Sequence, residues 1–250
     1  MRISLKTALL TGAFISLAMT GSAFAGAVFT SGNISYFGSP STILTGTTII
    51  PAVTGTSSLG SDGSVTISTT SPGAIVSGSL ANTYAAPITD AAGTPYAGNY
   101  FSTGLTSPTI STTNPSVSSG DTGVIDFNFT KTQHYLGLLW GSVDGVPGAE
   151  NVLSFYNGTT LVGSLTGSEI SSAANVPSSG VQTYGGSAYI NADIASGFNQ
   201  VVAGSQKVSF EFAAVTASST TVPVPEPGSL VLLGTSLIGL GIVLRSRRRA

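Results

Sequence analysis

Apolar and polar residues alternate with period two along several short stretches of this chain. Ser64-Val-Thr-Ile-Ser does so. In Val124-Ile-Asp-Phe-Asn-Phe-Thr, Val124, Asp126 and Asn128 face one side and Ile125, Phe127 and Phe129 the other. Strand side chains point alternately to opposite faces, so the pattern predicts half-buried β-strands. Strands are expected over 27–29, 47–53, 64–69, 73–80, 123–130, 135–142, 152–157, 160–166, 188–194 and 206–215. Asn157-Gly158 lies between two of these runs and is the strongest hairpin signal in the chain. Short strands punctuated by turns predict an all-β domain, a β-sandwich or jelly-roll-like fold. No long amphipathic helix is expected. Residues 168–174 fit a single helical turn capped by Gly167 or Ser168. Residues 84–122, rich in Ser, Thr, Pro and Gly, read as a long loop over the sheet or an insertion.

Both ends break the strand pattern. Residues 1–25 read as a secretory signal peptide: Arg2 and Lys6 give a positive start, 9–19 are apolar, and Ala23-Phe24-Ala25 is a small-x-small cleavage pattern. Cleavage there predicts a mature start at Gly26. The other end carries an uncharged apolar run of 17 residues, 228–244. As a helix it reaches roughly 25 Å, near the lower limit for crossing a bilayer core. Arg245, Arg247, Arg248 and Arg249 follow, which biases that end to the cytoplasm and the bulk of the chain outward. Pro223, Pro225 and Pro227 precede the run and set its start. The working protein is therefore expected at 26–221, with a tail at 222–250.

Val224-Pro225-Glu226-Pro227, the apolar run and the terminal arginines, in that order, resemble the PEP-CTERM sorting signal of Gram-negative bacteria. That signal is also named as the C-terminal domain of an ice-binding protein. The resemblance covers about the last 29 residues. It implies recognition by an exosortase, a membrane-embedded enzyme resembling cysteine transpeptidases, with the tail removed or exchanged near Pro-Glu-Pro. The precursor would be held in the inner membrane by its C-terminal helix, and the product would reach the cell surface or extracellular matrix. An associated biofilm or exopolysaccharide setting follows from the same resemblance.

Setting the two ends aside changes the charge picture. Only Lys131 and Lys207 remain of eight basic residues, against nine of ten acidic ones, a formal charge of −7 where the whole chain carries −2. Such a surface repels phosphate backbones and excludes nucleic acid as a partner. With no cysteine, an exported chain must fold by burial alone. Some 195 mature residues suffice for one sizeable core.

From Asp121 to Val215 the chain is similar to the globular domain of many PEP-CTERM surface proteins. The residues that carry this are Leu136-Gly-Leu-Leu-Trp140-Gly-Ser-Val-Asp144, Phe155-Tyr156-Asn157-Gly158 and Phe210-Glu211-Phe212. The last strand departs from the pattern by lacking an Asp-Asn pair after Phe-Glu-Phe. The similarity implies an extracellular β-sandwich without a shared catalytic chemistry.

Candidate chemistry is sparse. The one histidine, His134, stands at the start of an expected strand, and no Gly-x-Ser-x-Gly nucleophile turn is present. One histidine and no cysteine exclude the usual zinc sites, and no cofactor is indicated. Asp144, Glu150 and Asn151 cluster in one loop and could contribute oxygens to calcium or a sugar, although Asp144-Gly145 is also a turn signature. Trp140 and Tyr156 could stack on sugars but fit the core better. The expected function is that of a non-enzymatic surface or matrix protein. A carbohydrate-binding module or adhesin is the alternative, and a glycoside hydrolase a remote third.

Overall fold

Alternation along the chain is realised as strands that bury one or both faces. The computed structural model describes residues 29–39, 43, 47–90, 92–104, 110, 115–146, 150–182 and 185–222. The expected signal peptide, the Pro-Glu-Pro motif, the apolar run 228–244 and the arginine cluster lie outside these residues. Among the described residues, no helix is long and apolar enough to cross a membrane.

The architecture is all-β. Among the described residues, twelve strands form one hydrogen-bonded network. Short strands come first: β1 (Phe29–Ser31), β2 (Ile34–Ser39), β3 (Thr48–Ile49), β4 (Gly55–Ser58), β5 (Ser64–Thr69), β6 (Ala74–Val76) and β7 (Tyr100–Ser102). Then follow β8 (Ile125–Gly141), β9 (Asn151–Asn157), β10 (Thr160–Thr166), the helix α1 (Gly167–Ala174), β11 (Ala188–Ser205) and β12 (Glu211–Ser218). Every strand pairing among the described residues is antiparallel.

Two long strands, β8 and β11, organise the rest. Residues 135–141 of β8 pair with β12, and residues 125–129 pair with β5. Residues 189–194 of β11 pair with β2, and residues 200–205 pair with β9. Each long strand thus belongs to two half-sheets and turns a corner between them. The register records the corner. From Asp193↔Tyr135 to Phe198↔Gln133, β11 advances five residues while β8 retreats two; from Phe198↔Gln133 to Gln200↔Asn128, β11 advances two while β8 retreats five. The two irregularities compensate, so the pairing beyond the corner regains its original register. Such bulges bend strands and sharpen their twist. The two segments expected as separate strands, 123–130 and 135–142, are therefore one strand with a bend.

One apolar core joins both half-sheets. Trp140, Phe212, Ile190 and Ile34 from one half pack with Val65, Phe127, Phe155 and Leu153 from the other. The strands β2, β5 and β7 share this core, through Ile34, Tyr36, Ile67 and Phe101. Within 84–122, β7 inserts between β6 and β12, stacking Phe101 on Phe212 at 5.1 Å.

Two local expectations change in detail. The β9–β10 hairpin forms, with Asn157 paired to Thr160, so its two-residue loop is Gly158-Thr159 rather than Asn-Gly. Gly158 adopts φ 60°, at the position where a II′ turn places glycine. The helix α1 is capped by Thr166, not by Gly167 or Ser168. The Thr166 hydroxyl accepts from the Glu169 amide, and Glu169 reaches back to the Thr166 amide, completing a capping box. A side-chain oxygen one residue before the helix satisfies its free amides, which neither glycine nor a residue already inside the first turn supplies.

Candidate functional site

Three segments from distant parts of the sequence meet at one end of β8. Trp140 is fully buried against Phe210, with ring centroids 4.3 Å apart. Its indole N–H donates to Asn151 Oδ1 at 3.3 Å, and the Asp144 amide donates to the same oxygen at 2.9 Å. Asn151 in turn returns its own amide to the Asp144 carbonyl at 2.9 Å and its side-chain N–H to Ser205 Oγ at 3.1 Å. One buried amide side chain thereby fixes the turn that carries Asp144. Asp144 also pairs with Ser179 through a single bridge, and the Gly180 amide donates to the Val143 carbonyl at 3.0 Å. Gly180 lies so close to Asp144 Oδ1 that a side chain there would overlap it.

The first residue of β12 completes the site. Glu211 sits between Phe210 and Phe212, both in the core, so strand alternation turns its carboxylate to the other face. It is 1 % exposed. Ser142, at φ 38°, donates its hydroxyl to Glu211 Oε2 at 2.7 Å, whereas Glu211 Oε1 has no hydrogen-bond partner among the described residues. Asp144, Glu211 and Ser142 line a cleft of about 340 Å³ together with Ser179, Gln182 and Ser209.

Burial dominates the electrostatics. It pushes Asp144 up to about 7, reinforced by the Glu211 charge and opposed by hydrogen bonding to Asn151. Burial likewise pushes Glu211 up to about 7. Hydroxyls of Ser209 and Ser142 and the Ala85 and Glu211 amides oppose that rise, yet none makes a hydrogen bond of normal geometry to Oε1. Among the described residues, no lysine or arginine lines the cleft.

The loop residues singled out in the sequence have different fates. Asp144 faces the cleft. Asn151 is fully buried and its oxygen is taken up by the Trp140 and Asp144 N–H groups. Glu150 Oε1 accepts from the Ser168 hydroxyl at 2.6 Å, at the start of α1. Trp140 belongs to the core, and half-buried Tyr156 donates its hydroxyl to the Val117 carbonyl at 2.8 Å. His134 bonds the Ile194 carbonyl through Nδ1 at 3.2 Å and does not line the cleft. Glu211 was not among the expected site residues. Its signal was a lone acid between two phenylalanines in a strand, which alternation alone sends away from the core.

The described part of the chain is thus an all-β domain with a polar cleft lined by two acids. Its sorting class is given by the tail. Residues 223–249 match the family model of the PEP-CTERM protein-sorting motif, which marks the chain as an exosortase-sorted surface protein made as an exported, membrane-anchored precursor. The match covers the tail alone. No curated protein and no solved structure matches the chain.

Proposed function

We propose that the mature chain is a non-enzymatic surface or extracellular-matrix protein, displayed with biofilm or exopolysaccharide after an exosortase removes its tail. The bilayer anchor before processing is the run 228–244, and export uses residues 1–25. The displayed unit is 26–221, a β-sandwich whose two faces are the half-sheets joined by β8 and β11. The observation that carries this reading is where the last described strand lies: β12 ends at Ser218, ahead of the sorting motif. Val222 still donates its amide to Asp193 Oδ1 at 3.4 Å, and the sorting motif begins at the next residue. Processing within the motif therefore leaves every described strand intact. The experiment is mass spectrometry of the surface-displayed chain, with an end near Pro225-Glu226-Pro227 expected and an intact Arg249-Ala250 end contradicting it.

The absence of catalysis is part of the proposal. It is supported by the sparse chemistry around the cleft: His134, the single histidine of the chain, bonds the Ile194 carbonyl and stands away from the two carboxyl groups.

A carbohydrate-binding role is the second reading, favoured by the cleft. Hydroxyls of Ser142, Ser179 and Ser209 beside two carboxyl groups match the hydrogen-bonding character of a saccharide. Saturable binding to a polysaccharide, weakened by Gln182→Ala in a folded chain, would support it. Unchanged binding in that variant would sink it.

A further inference from the structure

We propose that the cleft at the end of β8 is a cation site, in which the Asp144 carboxylate and Glu211 Oε1 bind a hard divalent cation of the calcium type.

The free oxygen is the starting point. A buried acceptor without a donor costs free energy comparable to a lost hydrogen bond, more so when it belongs to a carboxyl group. Glu211 is 1 % exposed and its Oε2 is engaged by Ser142; among the described residues Oε1 has no hydrogen bond of normal geometry, although the Ser209 hydroxyl and the Ala85 and Glu211 amides lie near the carboxyl group. The cleft that Glu211 lines supplies further oxygens and, among the described residues, no lysine or arginine. Two carboxyl groups that share one cleft repel each other when ionised, and a cation between them converts that repulsion into attraction.

The geometry on the Asp144 side is already fixed. Its main chain is held by Asn151, and close-packed Gly180 limits where the carboxylate can lie. Pre-positioned ligands lower the ordering cost of binding.

The donor set selects the type of ion. The wall offers carboxylate, hydroxyl and amide oxygens and neither histidine nor cysteine, which suits hard cations and not zinc or copper. Calcium takes six to eight oxygens in adaptable geometry, and the cleft of about 340 Å³ leaves room for water to complete its shell. Among the described residues, no group of three or more His, Cys, Asp and Glu is placed to hold a metal. Two charged ligands with neutral oxygens place the affinity near that of extracellular calcium modules, roughly 10⁻⁴–10⁻³ M. The site rests on neither reading of the protein's role and survives or fails independently of them.

The test uses the full chain in detergent micelles with terbium as the probe. Trp140, the single tryptophan, shares the acceptor Asn151 Oδ1 with the Asp144 amide and so lies beside the site as a built-in sensitiser. The expected result is saturable terbium luminescence that calcium displaces. Affinity should fall at least about tenfold in Asp144→Asn and in Glu211→Gln, and stay unchanged in Glu150→Gln, whose carboxylate binds Ser168. No saturable signal, or full affinity retained in the double variant Asp144→Asn/Glu211→Gln, overturns the site. If either substitution unfolds the chain by circular dichroism, the wild type decides. A melting temperature raised by calcium over EGTA, and less by magnesium, supports the site, and an unmoved one overturns it.

Discussion

Asp62 Oδ1 accepts two hydrogen bonds from Ser219, from the amide at 3.1 Å and from the hydroxyl at 2.6 Å. The other carboxylate oxygen accepts from the Thr48 hydroxyl. Asp62 lies in the one-turn 3₁₀ helix Gly60–Asp62 between β4 and β5, and Ser219 directly follows β12. This carboxylate therefore clasps the segment that follows β12 to the opposite half of the domain.

The clasp predicts a specific acid sensitivity. Burial pushes the Asp62 pKa up, but the Ser219 and Thr48 bonds and nearby Lys131 outweigh it and hold it below its ordinary 3.8. The unfolded chain then binds more protons than the folded one between the two pKa values. The stabilisation is complete at neutral pH and fades as pH falls through the folded value. Asp62→Ala should cost about 1–3 kcal/mol at pH 7, and the difference from wild type should shrink on acidification below about pH 4. Urea melts at both pH values check this.

Gly167 opens α1 directly beneath the Asp144 turn. A side-chain carbon there would overlap the Asp144 carbonyl oxygen, which is backbone and cannot swing aside. Gly167→Ala should destabilise the chain by about 2–4 kcal/mol and lower its melting temperature. A melting temperature equal to wild type would show that the turn and the helix are not in contact.

Trp140 supports the site from inside the core. Trp140→Ala should cost about 3–5 kcal/mol through lost packing against Phe210 and the loss of a donor to Asn151. Any loss of polysaccharide binding should track unfolding, because the ring is fully buried and presents no face to a ligand. Binding lost in a variant that melts like wild type would contradict this placement.

Much of the sheet was legible from alternation. The pattern at 64–69 gives β5 at its observed bounds, and 160–166 does the same for β10. The bend in β8 was not legible. Between Thr130 and Thr132 three exposed residues interrupt the alternation and look like a loop, yet hydrogen bonding to β11 continues on both sides of them. The strand β7 was hidden because Tyr100-Phe101-Ser102 is short, lies in a turn-rich segment and is buried on both faces, which erases period two. For the site, Asp144 and Asn151 could be named because they lie seven residues apart in one loop. Their partner Glu211 is brought in by pairing of β12 with β8, where Glu211 faces Gly141 in the ladder. A contact made by strand register leaves no local trace in the sequence. The tail is the reverse case, since its meaning lies in a linear order of residues and needs no fold.

The most direct test concerns the tail. Mass spectrometry of the chain recovered from the surface of exosortase-positive cells should show a start at Gly26 and a C-terminus at or near Pro225-Glu226-Pro227. Deleting the exosortase should restore the terminal arginines. A surface-displayed chain that ends at Arg249-Ala250 in exosortase-positive cells would contradict the account.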